Sequence, residues 1–293
     1  TPWSWQVSGI GRGSADVVSS DSFGPLLGGA PADRSIVQAI TELKARGFRV
    51  VLYPFVMMDV AAGNSLPNPY SDNAAAIGQP TFPWRGRITC SPAPGYAGTV
   101  DKTAAAATQV DAFFGNAAPS DFGAWNGDTI PYTGPAEWSY RRFILHYARL
   151  AVAAGGVDAF LIGSEMVALN AVRSSASNFP AVSKMVALAA DVKAIVGAGC
   201  KVGYAADWSE YANFRPSDGS NDVYFHLDPL WASANIDFVG VDLTERVTES
   251  LSGGRQPLRR ASSPQAPWRV PLARRAQRKT RIGRGGSRSQ QGQ

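Results

Sequence analysis

The sequence predicts an α/β fold, a barrel of the TIM type built from parallel strands and incomplete in this chain, on three observations. Short apolar runs alternate with amphipathic helical patterns, several strand starts are spaced like barrel units, and acidic residues recur where strands end. Five strands can be read directly, and about five or six of the usual eight are expected. The chain has 293 residues, 45% hydrophobic and 17% charged, which is enough apolar material for a large core and excludes a chain disordered throughout.

The elements follow in order. Trp5 to Ile10 is a first strand, with the glycine cluster Gly9-Ile-Gly-Arg-Gly13 read as a turn rather than a nucleotide loop. Ser35 to Arg46 is a helix and Phe48 to Phe55 a strand. The segment Asn64 to Gly98, rich in Pro, Gly, Asn and Ser, reads as a long loop above the barrel mouth. Lys102 to Phe114 and Glu137 to Ala154 are helices. In the second, Tyr140, Phe143, Ile144, Tyr147, Leu150 and Ala151 recur at spacings of three and four, opposite Arg141, Arg142 and Arg149. Strand Asp158 to Gly163, helix Ala181 to Val196, strand Val202 to Ala206 and strand Ile236 to Val241 complete the alternation.

Strand starts lie about 43, 44 and 34 residues apart at Trp5–Phe48, Asp158–Val202 and Val202–Ile236, close to barrel units with added loops. The step of about 110 residues from Phe48 to Asp158 is too long for one plain unit. No apolar run approaches the roughly 20 residues of a membrane span. The chain opens without an initiator Met or a visible signal peptide, so it is expected to start inside a larger protein.

Charge is uneven. From Thr244 onward there are 12 Lys or Arg against two acids, a net of +10, which leaves 16 basic against 21 acidic residues, or −5, before that point. Residues 1 to 243 are therefore expected to form the barrel domain. Residues 244 to 293 form a basic, low-complexity tail expected to be disordered, either through a shift of reading frame after Asp237-Phe-Val-Gly-Val-Asp242 or as a natural basic arm. Cys90 and Cys200 form no CxxC pair and read as free, partly buried thiols.

The run Gly156-Val-Asp-Ala-Phe-Leu-Ile-Gly-Ser-Glu165 is the most informative stretch. An apolar strand stops on a carboxylate, and the small residues Gly163 and Ser164 leave room around it. Glu165 then faces the mouth, unless Ser164 only caps the next helix and Glu165 favours its positive end. Asp59, Asp207, Glu210 and Asp242 also follow strands, and Trp84, Tyr204, Trp208, Tyr211 and Trp231 lie beside them. Carboxylates with flat rings suit carbohydrate, whose C–H faces pack on aromatic surface. His226 and Asp228 contact substrate or cap a segment before Trp231. His146 reads as a packing residue, and with only two histidines no metal or other cofactor is expected. A Gly-x-Ser-x-Gly elbow is absent.

Five blocks carry a resemblance: Lys44-Ala-Arg-Gly-Phe-Arg-Val-Val-Leu-Tyr-Pro-Phe55 with Met58-Asp59-Val60, Phe82-Pro-Trp-Arg-Gly-Arg-Ile-Thr-Cys-Ser91, the run to Glu165, Tyr204-Ala-Ala-Asp-Trp-Ser-Glu-Tyr211, and Phe225-His-Leu-Asp-Pro-Leu-Trp231. Over about residues 3 to 242 the chain resembles the TIM-barrel-like domain of the large tail protein of gene transfer agents and related phages, a domain that looks like a glycoside hydrolase. The resemblance implies a (β/α)8 barrel in a tail-tip or host-specificity protein acting on cell-envelope polysaccharide or peptidoglycan. Other phage-tail or baseplate proteins are the implied partners, and the implied location is the bacterial cytoplasm during assembly and the particle tail afterwards. Nucleic acid is expected only through the basic tail. Glu165 matches the acid/base glutamate at the end of the fourth strand of many retaining glycosidases. The second catalytic carboxylate, which comes from a later strand, is expected to be missing here. A non-catalytic carbohydrate-binding or structural module of a tail tip is the alternative.

Overall fold

The computed structural model describes residues 20–21, 24–25, 32–58 and 60–242. The strand expected at Trp5 to Ile10, the Gly9–Gly13 turn, Asp59 and the tail from residue 243 lie outside the described residues. A two-stranded antiparallel pair, β1 (Ser20–Asp21) and β2 (Gly24–Pro25), precedes the main sheet.

Four strands, β3 (Val51–Leu52), β4 (Ala159–Ser164), β5 (Lys201–Asp207) and β6 (Phe238–Asp242), form one all-parallel sheet in chain order. A helix precedes each: α1 (Asp33–Ala45), α3 (Tyr140–Ala153), α5 (Pro180–Val196) and the short α6 (Asp228–Trp231). These helices pack in the same order, α1 on α3, α3 on α5 and α5 on α6, with α3 and α5 also covering the sheet. This is the layering of a βα barrel wall, and among the described residues it does not close into a ring. No described helix is long and apolar enough to cross a membrane.

The stripe expected on α3 is wholly buried. Its arginines do not form a solvated face. Arg141 Nε donates to the Ala117 carbonyl at 2.8 Å and Arg149 Nη2 to the Pro119 carbonyl at 2.8 Å, while Arg142 lies 3.8 Å over the Trp138 ring and 3.9 Å over Tyr132. Together they clamp the 115–139 segment onto the helix. His146 is buried and paired through Nε2 with Asp33 of α1 at 2.9 Å, as suits a packing residue with a partner.

Two expectations about strands are corrected. Phe48 to Phe55 yields a strand of only two residues, because β3 pairs with β4 alone among the described strands and the chain leaves the sheet at Tyr53. β3 is also the direct neighbour of β4, so the whole 110-residue step is a single crossover. It contains the long loop, a 3₁₀ turn at Arg85–Arg87, α2 (Ala104–Phe114) and α3. Glu165 therefore stands directly after the second strand of the described sheet. The long loop is packed, not loose: Ile88, Cys90 and Ala93 are buried, and the Gln109 amide bonds both backbone groups of Ser91. Both cysteines are free and buried. Burial raises both thiols, Cys90 to about 11.

Candidate functional site

β4 and β5 lose register between Leu161 and Ser164, and the backbone emerges at Glu165 in a left-handed conformation, φ +49°, with its N–H bonded to the Ala205 carbonyl at 2.9 Å. Such irregularities at a strand end re-aim a side chain, and the left-handed state costs a residue with a Cβ about 1–2 kcal/mol. Gly163 is required for a different reason from the one expected. A Cβ there would meet the Tyr140 hydroxyl at 2.2 Å, and that hydroxyl donates to the Ile162 carbonyl at 2.8 Å. The space at Gly163 thus serves the core and not the acid.

The Glu165 carboxylate is held through one oxygen. Trp84 Nε1 donates to Oε2 at 2.9 Å and Arg85 Nη2 reaches the same atom at 2.6 Å, while Oε1 receives no donor among the described residues. Trp84 and Arg85 come from the long loop 80 residues upstream; Trp84 is 44% exposed, whereas the Glu165 side chain is 9% exposed. Arg85 Nη2 also donates to Ser164 Oγ at 3.0 Å, and its guanidinium lies 4.8 Å over the Phe55 ring. Ser164 does not cap α4 (Val167–Asn170), whose N-cap is Met166. Instead its hydroxyl is bonded by Tyr53 and lies 3.5 Å from Asp242 Oδ2, to which Tyr53 donates at 2.7 Å. Burial pushes the Tyr53 phenol up to about 12, so it remains a donor at any ordinary pH. Glu165, Trp84, Arg85, Ser164, Tyr53 and Asp242 therefore form one connected network at the C-terminal ends of β3, β4 and β6. Tyr53 and Arg85 were not picked out from the sequence. Their only signal was their place in the resembling blocks.

The remaining expected site residues go elsewhere. Tyr204 is fully buried; its hydroxyl accepts from the Met166 N–H at 2.8 Å and the Asn170 amide at 3.0 Å, and donates to Glu210 at 2.8 Å. Glu210 uses both oxygens on interior groups, Oε1 on Tyr204 and the Asp207 N–H, Oε2 on Asn170 at 3.2 Å. Burial raises its carboxyl to about 7. Asp207 folds back on Ser209, bonding its N–H at 2.8 Å and its hydroxyl at 2.5 Å. His226 is buried among Phe179, Phe214 and Tyr224, and burial lowers its imidazole to about 4. Asp228 is exposed at the start of α6, and Trp208 is 61% exposed beside the mouth. The five-acid convergence is thus narrowed to Glu165 and Asp242, with Asp59 outside the described residues. Among the described residues no three His, Cys, Asp or Glu side chains gather as they would around a metal.

Parallel strands preceded by helices, with an acid held at the strand ends by a long-loop arginine, are the setting for the family comparison. Residues 138–255 match the family model of the GTA TIM-barrel-like domain. The matched stretch starts at Trp138 and runs through α3, β4 with Glu165, β5 and β6. The match continues past Thr244, where composition placed the start of the tail. Among curated proteins none matches the chain.

Proposed function

We propose that this chain carries the glycoside hydrolase-like site of a gene transfer agent or phage tail protein, directed at cell-envelope polysaccharide or peptidoglycan, with Glu165 as general acid/base. The observation that supports it is Glu165 itself: an acid in a strained backbone state at the mouth end of a parallel strand, held through Oε2 by Arg85 and the half-exposed Trp84, with no donor to Oε1 among the described residues. In this reading Oε1 gives its proton to the glycosidic oxygen as that oxygen takes the electron pair of the breaking C–O bond. A water oxygen ultimately bonds the anomeric carbon and surrenders a proton to a carboxylate.

Asp242 is the carboxylate that the network reaches. Three contacts in series, of 2.6, 3.0 and 3.5 Å, join Glu165 Oε2 to Asp242 Oδ2. The two carboxyl groups therefore stand no farther apart than the roughly 6.5–9.5 Å of a water-using inverting pair. Purified cell-wall sacculi and defined polysaccharides, incubated with the full chain, test the proposal through release of soluble reducing ends. Glu165→Gln is expected to lower the rate about 10²–10⁴-fold while binding to the same polymer survives. Hydrolysis unchanged in that variant removes the assignment. Binding by the parent without any product favours the non-catalytic tail module instead.

A further inference from the structure

Among the described residues, the two that bond the Glu165 carboxylate belong to the loop after β3 and not to the sheet. Both sides of the contact are strained: Phe82, two residues before Trp84, has φ +45°, and Glu165 has φ +49°. Neither is glycine, so the surrounding packing must hold each in place. The loop also contains a steric signature of the same contact. The Trp84 ring folds back over Gly86, where a Cβ would lie 2.4–2.6 Å from three ring carbons, so Gly86 has no room for a side chain while Trp84 keeps its place. Gly86 is buried and the 3₁₀ turn Arg85–Arg87 packs on α4, the helix that follows Glu165. Loop and strand end are therefore locked from both directions.

We infer that Arg85 and Trp84 are positioning residues: by taking Oε2 they fix the rotamer of Glu165, so that Oε1 is the oxygen that exchanges a proton with substrate. This deepens the function proposed above and rests on it for the identity of the reaction, but the geometric claim stands on the contacts alone. Arg85 does more than neutralise charge. One nitrogen, Nη2, bonds Ser164 Oγ as well as Glu165, and Nε approaches the same hydroxyl at 3.3 Å, so the planar fork sets the angle between two neighbouring side chains of β4 and its end. Without this hold, Glu165 swings on three rotatable bonds at a rim where a displacement of about 1 Å can cost about 10²-fold in rate.

The experiment uses the full chain labelled with ¹⁵N at tryptophan indoles, with the Trp84 signal assigned through Trp84→Phe. Glu165→Gln is expected to move the Trp84 indole N–H resonance, and Gly86→Ala to shift it toward the position of a free indole without altering any chemical group of the site. In the hydrolysis assay Gly86→Ala and Arg85→Gln are expected to lose at least about tenfold in kcat with KM within about twofold, both variants remaining folded at the assay temperature. Arg85→Lys should recover part of that loss. Should Gly86→Ala not fold, the Arg85→Gln and Arg85→Lys pair supplies the same comparison. A Trp84 signal indifferent to Glu165→Gln, or full kcat in Gly86→Ala with the indole displaced, overturns the inference. A responsive Trp84 signal in a chain that hydrolyses nothing supports the positioning and removes the hydrolase reading.

Discussion

Glu165 and Glu210 occupy nearly equivalent places, one directly after β4 and the other three residues after the neighbouring β5, and the fold treats them in opposite ways. Glu165 is gripped on one oxygen by a cation and an indole from a distant loop, with no donor to the other oxygen among the described residues. Glu210 is gripped on both oxygens by three neutral groups of its own neighbourhood and meets no cation among the described residues. A carboxyl group held on one oxygen at a rim keeps a working edge. One sealed among a phenol, an amide and a backbone N–H becomes a structural tie, and burial moves its titration toward neutrality. A strand end thus tells where an acid sits along the chain, but only its partners tell what the acid is for.

The largest expected difference between the two is in stability. Glu210→Ala leaves the Tyr204 hydroxyl, the Asn170 amide and the Asp207 N–H short of an acceptor in the interior, and is expected to cost about 3 kcal/mol in chemical denaturation. Glu165→Gln keeps an acceptor for Trp84 and Arg85 and loses only the charge of the pair, so it should cost less, about 1–2 kcal/mol. Equal losses would erase the distinction between tie and working group.

The next effect is on pH dependence. Glu210 titrates higher in the fold than its ordinary 4.5, at about 7, so its contribution is present below pH 4.5 and is lost as pH rises through 7. His226 runs the other way. Its folded value of about 4 lies below the ordinary 6.5, so its contribution is present above pH 6.5 and is lost as pH falls through 4. Each spans about 3 kcal/mol, and between pH 4.5 and 6.5 the two slopes offset. Glu210→Gln, which mimics the protonated acid, is expected to unmask a stability that rises with pH across this window. His226→Phe should unmask one that falls, and a pair of unchanged slopes in denaturant titrations from pH 4 to 8 would refute both. Asn170 can serve the protonated acid as well as the ionised one, since its Oδ1 has no hydrogen-bond partner among the described residues and an amide flip would present it to a donor.

The smallest effect isolates the backbone at the rim. Glu165→Ala and Glu165→Gly both discard the carboxylate, yet only the alanine retains a Cβ in the left-handed region. The glycine variant should therefore be the more stable by about 1 kcal/mol. At position 210, where no positive φ occurs, glycine should instead be the weaker of the two.

Much of this is legible in the sequence. The stripe Tyr140–Phe143–Ile144–Tyr147–Leu150 marked α3 because its period is local, and the apolar run ending at Glu165 marked both β4 and the rim. Misreadings occurred where a residue's role depends on a distant partner. Glu210, Tyr204 and His226 carry the same side chains as a sugar-binding site, and nothing in their spacing reveals that they turn inward. Arg85 carries no local signal, because its meaning comes from Ser164 and Glu165, which lie some 80 residues further along the chain.

Sequence by itself determined the alternation of strands and helices and the placing of acids at strand ends, because apolar periodicity and chain punctuation act within a few residues. Only the tertiary structure decided that β3 abuts β4 across a 110-residue crossover, that a loop arginine and tryptophan take hold of Glu165, and that Glu210 is sealed inside. Those outcomes come from hydrogen bonds and packing between segments far apart in the chain, and such pairings depend on which surfaces meet once the layers have stacked.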